Sequence, residues 1–136
     1  MSKGRMKDCV RHDAVELGFL EQISKRLPED LEILQALAEL YTKTGQYKCG
    51  LEIDIRLSQQ LPSDDLVWYN LGCSYALTNQ ADDAFEALSK AVELGYCDYE
   101  WMKKDQDLKN LHADPRFESL LSWLYTSCYK DDNECV

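Results

Sequence analysis

Leu66-Val67-Trp68-Tyr69-Asn70-Leu71-Gly72-Cys73-Ser74-Tyr75 is the stretch that decides the fold of this chain. It has the pattern W-x2-L-G-x2-Y, and the apolar residues Ala84, Leu88 and Ala91 follow it at fixed offsets. Small side chains such as those of Gly72 and Ala84 allow two helices to approach closely. The stretch therefore predicts two helices that pack closely against each other.

The same pattern occurs earlier in the chain, at a period of 34 residues. Asp30 and Asp64 hold equivalent positions, and each is placed to cap the first amide groups of a following helix. Gly45 and Asn79, which both tolerate a left-handed backbone, end the first helix of each unit. The repetition predicts stacked units with a shared core. The matching pairs are Leu37 with Leu71, Ala38 with Gly72, Tyr41 with Tyr75 and Pro28 with Pro62.

Two full units are predicted over residues 31–62 and 65–96. Residues 12–27 match the second helix of a unit, so the chain starts with a half repeat whose flank is exposed. The period fails after residue 96, and residues 98–128 are predicted to form capping helices that close the core. Asp114 and Pro115 mark the entry of the last of these helices. Residues 1–11 and 129–136 are expected to be flexible ends of a single domain.

On these residues the chain resembles the tetratricopeptide repeat family, and in particular its short bacterial members. The resemblance implies an all-α fold, a right-handed superhelix of antiparallel helix pairs with an N-terminal half repeat and C-terminal capping helices. It also implies that the first helices line a concave groove for a peptide or helix of a partner protein, with Tyr69 the aromatic residue most expected to face it. The groove residues expected are Gln35, Glu39, Thr42, Tyr69, Asn70, Cys73, Leu77, Lys103 and Lys104.

Charge restricts the class of partner. The net charge of −10 and the pI near 4.6 argue against nucleic acid, whose phosphates require a basic surface. A subgroup of the family grips carboxylate termini with lysine, asparagine and arginine, and Asn70 with Lys103 and Lys104 match that subgroup in kind. Gln35 and Glu39 do not match it, because lysine and asparagine are expected at these positions and the acidic Glu39 repels a carboxylate. The expected partner is therefore a basic or apolar protein segment.

Several other classes of protein are not indicated. No apolar run approaches the ~20 residues of a membrane span, and no apolar segment follows the basic N-terminus, so a cytoplasmic location is expected. The six cysteines include no C-x-x-C pair, which predicts reduced thiols rather than a disulfide framework or a metal site. A redox alternative rests on Cys128 and Cys135.

An enzyme is the least expected class, and no cofactor is predicted. His12 and His112 lie in different flanking segments and neither has an evident catalytic partner. Acidic pairs at the starts of helices are explained by the helix dipole. The leading hypothesis is therefore a non-enzymatic adaptor or scaffold. A secretion chaperone for one client and a structural protein that dimerises through the exposed half repeat remain as alternatives.

Overall fold

A computed structural model describes residues 2–134 of the chain, and describes side chains for residues 12–129. Every regular element within residues 2–134 is helical, so the predicted all-α class is confirmed. The elements are α1 (Ser2–Arg26), α2 (Leu31–Lys43), α3 (Tyr47–Gln60), α4 (Asp65–Leu77), α5 (Ala81–Glu93), α6 (Tyr99–Lys104), the 3-10 helix η1 (Gln106–Leu111) and α7 (Pro115–Glu134).

The chain divides into two compact units, Met1–Leu57 and Ser58–Val136, and the single domain stays a prediction. The helices at the two ends include residues that were expected to be flexible. Residues 2–11, expected to be flexible, continue the half repeat as the first part of α1. Residues 129–134, expected to be a flexible tail, continue α7. The repeat boundaries and the superhelix itself stay predictions.

The predicted helix starts are confirmed by hydrogen bonds. Asp30 accepts one from the backbone N–H of Ile33 at 3.1 Å. Asp64 accepts two, from Leu66 at 3.0 Å and Val67 at 3.3 Å. Each aspartate satisfies amide groups that a helix leaves without an internal partner.

The predicted helix ends are also confirmed. Gly45 has φ +81° and Asn79 has φ +61°, so both adopt the left-handed backbone that their equivalent positions require. Asparagine tolerates this region because its side chain is short and polar. The two residues therefore act in the same way one period apart.

In the first unit, α1 packs against α2. The buried side chain of Leu17 comes from α1, and Leu34, Leu37 and Ala38 come from α2. Gly50 of α3 lies where an added Cβ would meet Thr42 Oγ1 at 3.2 Å. Close approach of α2 and α3 therefore depends on a small residue at this position.

In the second unit, α4 and α5 form a tight pair at the position that the opening stretch predicts. A Cβ added to Gly72 would meet Leu88 Cγ at 2.6 Å, so only glycine fits without movement. Leu88, Ala84 and Ala91 of α5 are fully buried. The same apolar core continues through α6, η1 and α7, with the buried residues Met102, Leu108, Leu111, Phe117, Leu120 and Leu124.

One prediction about the cysteines is wrong. Cys97 and Cys128 form a disulfide with 5.4 Å between their Cα atoms, and it links the segment before α6 to α7. The sequence gives no sign of this pair, because the two residues lie 31 positions apart and only the packing of α7 brings them together. Cys49 and Cys73 are free thiols, as predicted. Cys9 and Cys135 lie outside the residues whose side chains are described.

Within the described residues, no helix is both long and apolar enough to cross a membrane.

Candidate functional site

A cluster of five polar side chains lies inside the second unit. The Tyr69 hydroxyl donates a 2.6 Å hydrogen bond to Asp105 Oδ2, and the Cys73 thiol lies 3.8 Å from the same oxygen. Asp107 brings a second carboxylate close to Cys73 and Asp105. The Tyr96 ring stacks on the Tyr69 ring with 4.4 Å between centroids. These five residues are called the polar cluster.

The local structure explains why they meet. Tyr69 and Cys73 lie four residues apart on α4, which places them on one face of that helix. Asp105 caps η1, and its Oδ1 accepts a hydrogen bond from the Asp107 backbone N–H at 3.0 Å. η1 packs against α4, and Asn110 Nδ2 donates to the Ala76 carbonyl at 3.3 Å. The capping turn of η1 is thereby held over the polar face of α4.

The cluster is poor in positive charge. Among the described residues, no lysine, arginine or histidine forms a salt bridge with Asp105 or Asp107. Burial, and then the charge of Asp105, raise the pKa of Asp107. Burial is also the main cause that raises the pKa of Tyr69 and of Cys73. Both groups are therefore neutral proton donors beside the carboxylates at neutral pH.

The Tyr96 hydroxyl is the one polar side-chain atom in the described residues that is buried without a hydrogen-bond partner. Burial raises its pKa, the interaction with the Tyr69 side chain lowers it, and the charges of Asp98, Cys73 and Asp105 raise it further. Tyr96 therefore lies beside Tyr69 in the polar cluster. An unmade bond of a buried hydroxyl costs about 1–3 kcal/mol, so its position calls for an explanation.

Three ligand atoms of the polar cluster suit a metal ion by distance. Cys73 Sγ and one oxygen each from Asp105 and Asp107 lie within 4.8 Å of one another. Cys73 and Asp105 are buried and Asp107 is half-buried, so the edge of this group reaches solvent. By contrast, the raised pKa of Cys73 disfavours a thiolate nucleophile.

The residues predicted to line the groove divide into buried, half-buried and exposed groups. Tyr69 and Cys73 were expected to be exposed to a ligand, and this is wrong because the segment from Asp105 to Leu111 covers their face of α4. Thr42 and Leu77 are half-buried. Their role in binding, like that of the exposed group, stays a prediction. The exposed residues are Gln35, Glu39, Asn70, Lys103 and Lys104.

Sequence reasoning missed Asp105, Asp107 and Tyr96. The signal available was the Asp-x-Asp spacing at 105–107, which by itself indicates no more than a cap. The partners of Asp105 on α4 lie 32 and 36 residues away. Such contacts depend on tertiary packing and leave no local pattern.

A second feature of the same unit is exposed. Tyr125 contacts Tyr99 edge-on with 5.2 Å between ring centroids, and it contacts Tyr129 at 4.6 Å. Tyr125 is 51% exposed and Tyr129 is 43% exposed. Lys103 Nζ lies 5.8 Å from the centre of the Tyr99 ring. The three tyrosines are called the tyrosine row.

The chain is 26% identical over 106 residues to a protein of Arabidopsis thaliana that is described as chloroplastic. The match covers 76% of this chain but 31% of that protein, so the chain spans about a third of the length of its relative. No family model matches the chain. No solved structure matches it either.

Proposed function

We propose that the protein is a non-enzymatic interaction module that binds a segment of a partner protein. The tyrosine row is the observation that carries this proposal. Tyrosine combines a large apolar ring with a polar tip and is enriched at protein interfaces. The Tyr125 and Tyr129 rings contact each other and remain about half exposed, and they form an apolar surface of the kind that a partner covers.

The chemistry of the row and the charge of the chain favour a basic partner. Aromatic faces attract lysine and arginine side chains, as Lys103 already does with Tyr99. The net charge of −10 attracts a cationic segment and repels an acidic one. The expected ligand is therefore an apolar segment with several basic residues.

The tetratricopeptide interpretation adds a second surface to this proposal, the groove along the first helix of each pair. In the second unit, the exposed side chains of Asn70, Lys103 and Lys104 support it. Because Tyr69 and Cys73 are buried, binding at this surface depends on the residues around them. An Asn70→Ala/Lys104→Ala variant tests whether this groove binds the partner segment, because both side chains are exposed and their removal leaves the core unchanged.

The main test is binding to a peptide array that holds basic amphipathic, acidic and neutral sequences. A Tyr125→Ala/Tyr129→Ala variant is expected to bind basic apolar peptides at least about tenfold more weakly, since truncation of a tyrosine that acts as an interface hot spot costs about 2 kcal/mol or more. Tyr47→Ala is the matched control, because Tyr47 is also exposed but lies in the first unit. Equal binding by both variants contradicts the proposed surface.

The first unit gives a reason for one alternative, self-association. Val15 is 73% exposed and Phe19 is 65% exposed, and they lie four residues apart on α1. An apolar stripe of this kind on a helix fits a second copy of the same helix. Light scattering should then show a mass that rises with protein concentration, and Phe19→Ser should abolish the rise. A monomeric mass at all concentrations excludes this alternative.

A further inference from the structure

We infer that Cys73, Asp105 and Asp107 bind a divalent transition-metal ion, with Zn²⁺ as the best fit. One thiolate sulfur and two carboxylate oxygens match the mixed donors that zinc accepts. Calcium and magnesium take at least six oxygen ligands, so a site with sulfur and few oxygens is a poor fit for them. The inference is independent of the proposed partner binding.

The distances support a single ion. The three ligand atoms lie within 4.8 Å of one another. Ligands about 2.0–2.3 Å from a zinc ion lie roughly 3.3–3.8 Å apart in a tetrahedral site, so small side-chain movements complete the geometry. Asp107 is half-buried and gives the ion a route from solvent.

Charge supports the same conclusion. Two carboxylates are held together without a salt bridge to any cation among the described residues. Buried carboxylates are normally paired with cations or bound to metals. On binding, the Cys73 thiol releases its proton to solvent, a metal–sulfur bond forms, and the hydrated ion loses water molecules in exchange for the protein ligands.

The remaining two members of the polar cluster have the positions expected of supporting groups. Tyr69 donates a hydrogen bond to Asp105 Oδ2 and so orients that carboxylate as a ligand. The Tyr96 hydroxyl is buried, is 4% exposed as a residue, and makes no hydrogen bond. Three protein ligands leave a fourth position for water, and we expect the Tyr96 hydroxyl, whose ring stacks on that of Tyr69, to hydrogen-bond that water. This accounts for the unpartnered hydroxyl.

The test is titration of the full chain with Co²⁺, without thiol reductant, so that the disulfide stays intact. Binding at Cys73 is expected to produce a thiolate-to-cobalt charge-transfer band that saturates at one equivalent and disappears when Zn²⁺ is added. Cys73→Ser should abolish the band, although Cys9, Cys49 and Cys135 remain. Cys49→Ser is the matched control and should keep it, because Cys49 is a free thiol outside the cluster.

Two further variants keep the test decisive if Cys73→Ser does not fold. Asp107→Asn removes one ligand at the half-buried edge and should weaken cobalt binding by at least about tenfold. Tyr96→Phe should weaken it by about 10- to 100-fold while leaving the fold intact. The inference is overturned if the wild-type protein shows no charge-transfer band at millimolar Co²⁺. A band of unchanged affinity in Asp107→Asn and Tyr96→Phe overturns it as well.

Discussion

The Tyr69 hydroxyl donates a 2.6 Å hydrogen bond to Asp105, 36 residues further along the chain. This bond joins α4 to the capping turn of η1 inside the second unit. Tyr96 stacks on the Tyr69 ring, yet its own hydroxyl has no partner. Of these two stacked tyrosines, one forms a hydrogen bond through its hydroxyl and the other does not. The effects of removing each hydroxyl on stability can therefore be compared directly.

The first prediction uses that comparison. In the presence of a chelator, Tyr69→Phe should lower the free energy of unfolding by about 1–3 kcal/mol, because Asp105 loses a buried donor. Tyr96→Phe should be neutral or stabilising, since it removes an unsatisfied group. Urea unfolding of the two variants and the wild type measures the difference. Equal losses in both variants contradict the assigned hydrogen bond.

The second prediction concerns the contact between α4 and α5. Gly72→Ala should lower the free energy of unfolding by about 1–3 kcal/mol, because the new methyl overlaps the Leu88 side chain, whose Cγ is 2.6 Å from the added Cβ. Gly18→Ala in α1 is the control, since its Cβ meets nothing within 4 Å. Gly18→Ala should raise the free energy of unfolding by about 0.5–1 kcal/mol, because alanine has a higher helix propensity than glycine. A Gly72→Ala protein as stable as the wild type contradicts the close packing.

The third prediction concerns the disulfide between Cys97 and Cys128. Closing a loop with a sequence separation of 31 residues stabilises a protein by about 3–4 kcal/mol. A Cys97→Ser/Cys128→Ser variant should therefore melt at lower temperature, and a reducing agent should lower the wild-type melting temperature but leave the variant unchanged. Peptide mapping without reduction should recover the two cysteines in one linked species. Two free thiols at these positions contradict the bond.

The fourth prediction concerns pH. Hydrogen bonds from Arg116 hold the pKa of Asp114 below its usual value of 3.8. A carboxyl with a lowered folded pKa stabilises the fold above its unfolded pKa, and that contribution is lost as pH falls through the folded pKa. Asp114→Asn should therefore lower the melting temperature at pH 7, with a gap that closes below about pH 3.8. In an Arg116→Gln background the pH-dependent gap should shrink but not vanish, because the backbone N–H of residue 116 still donates to Asp114 at 2.9 Å. A gap of unchanged size contradicts the assignment.

Local patterns predicted much of the fold from the sequence. The capping positions of Asp30 and Asp64, the left-handed turns at Gly45 and Asn79 and the entry of α7 at Pro115 all agree with the structure. Each depends on a few neighbouring residues and on backbone preferences that act over one turn. The small residue at Gly72 similarly predicted where α4 and α5 meet.

The candidate site could not be predicted from local patterns, because its residues come from separate elements. Burial of Tyr69 and Cys73 depends on η1 lying over α4, and the disulfide depends on α7 lying beside the segment before α6. Neither arrangement is encoded by a local spacing. The sequence by itself determined the helices and their caps, since these follow from short-range sterics and hydrogen bonding. Only the tertiary structure decided which polar groups meet, because long-range packing brings Tyr69 and Asp105 together.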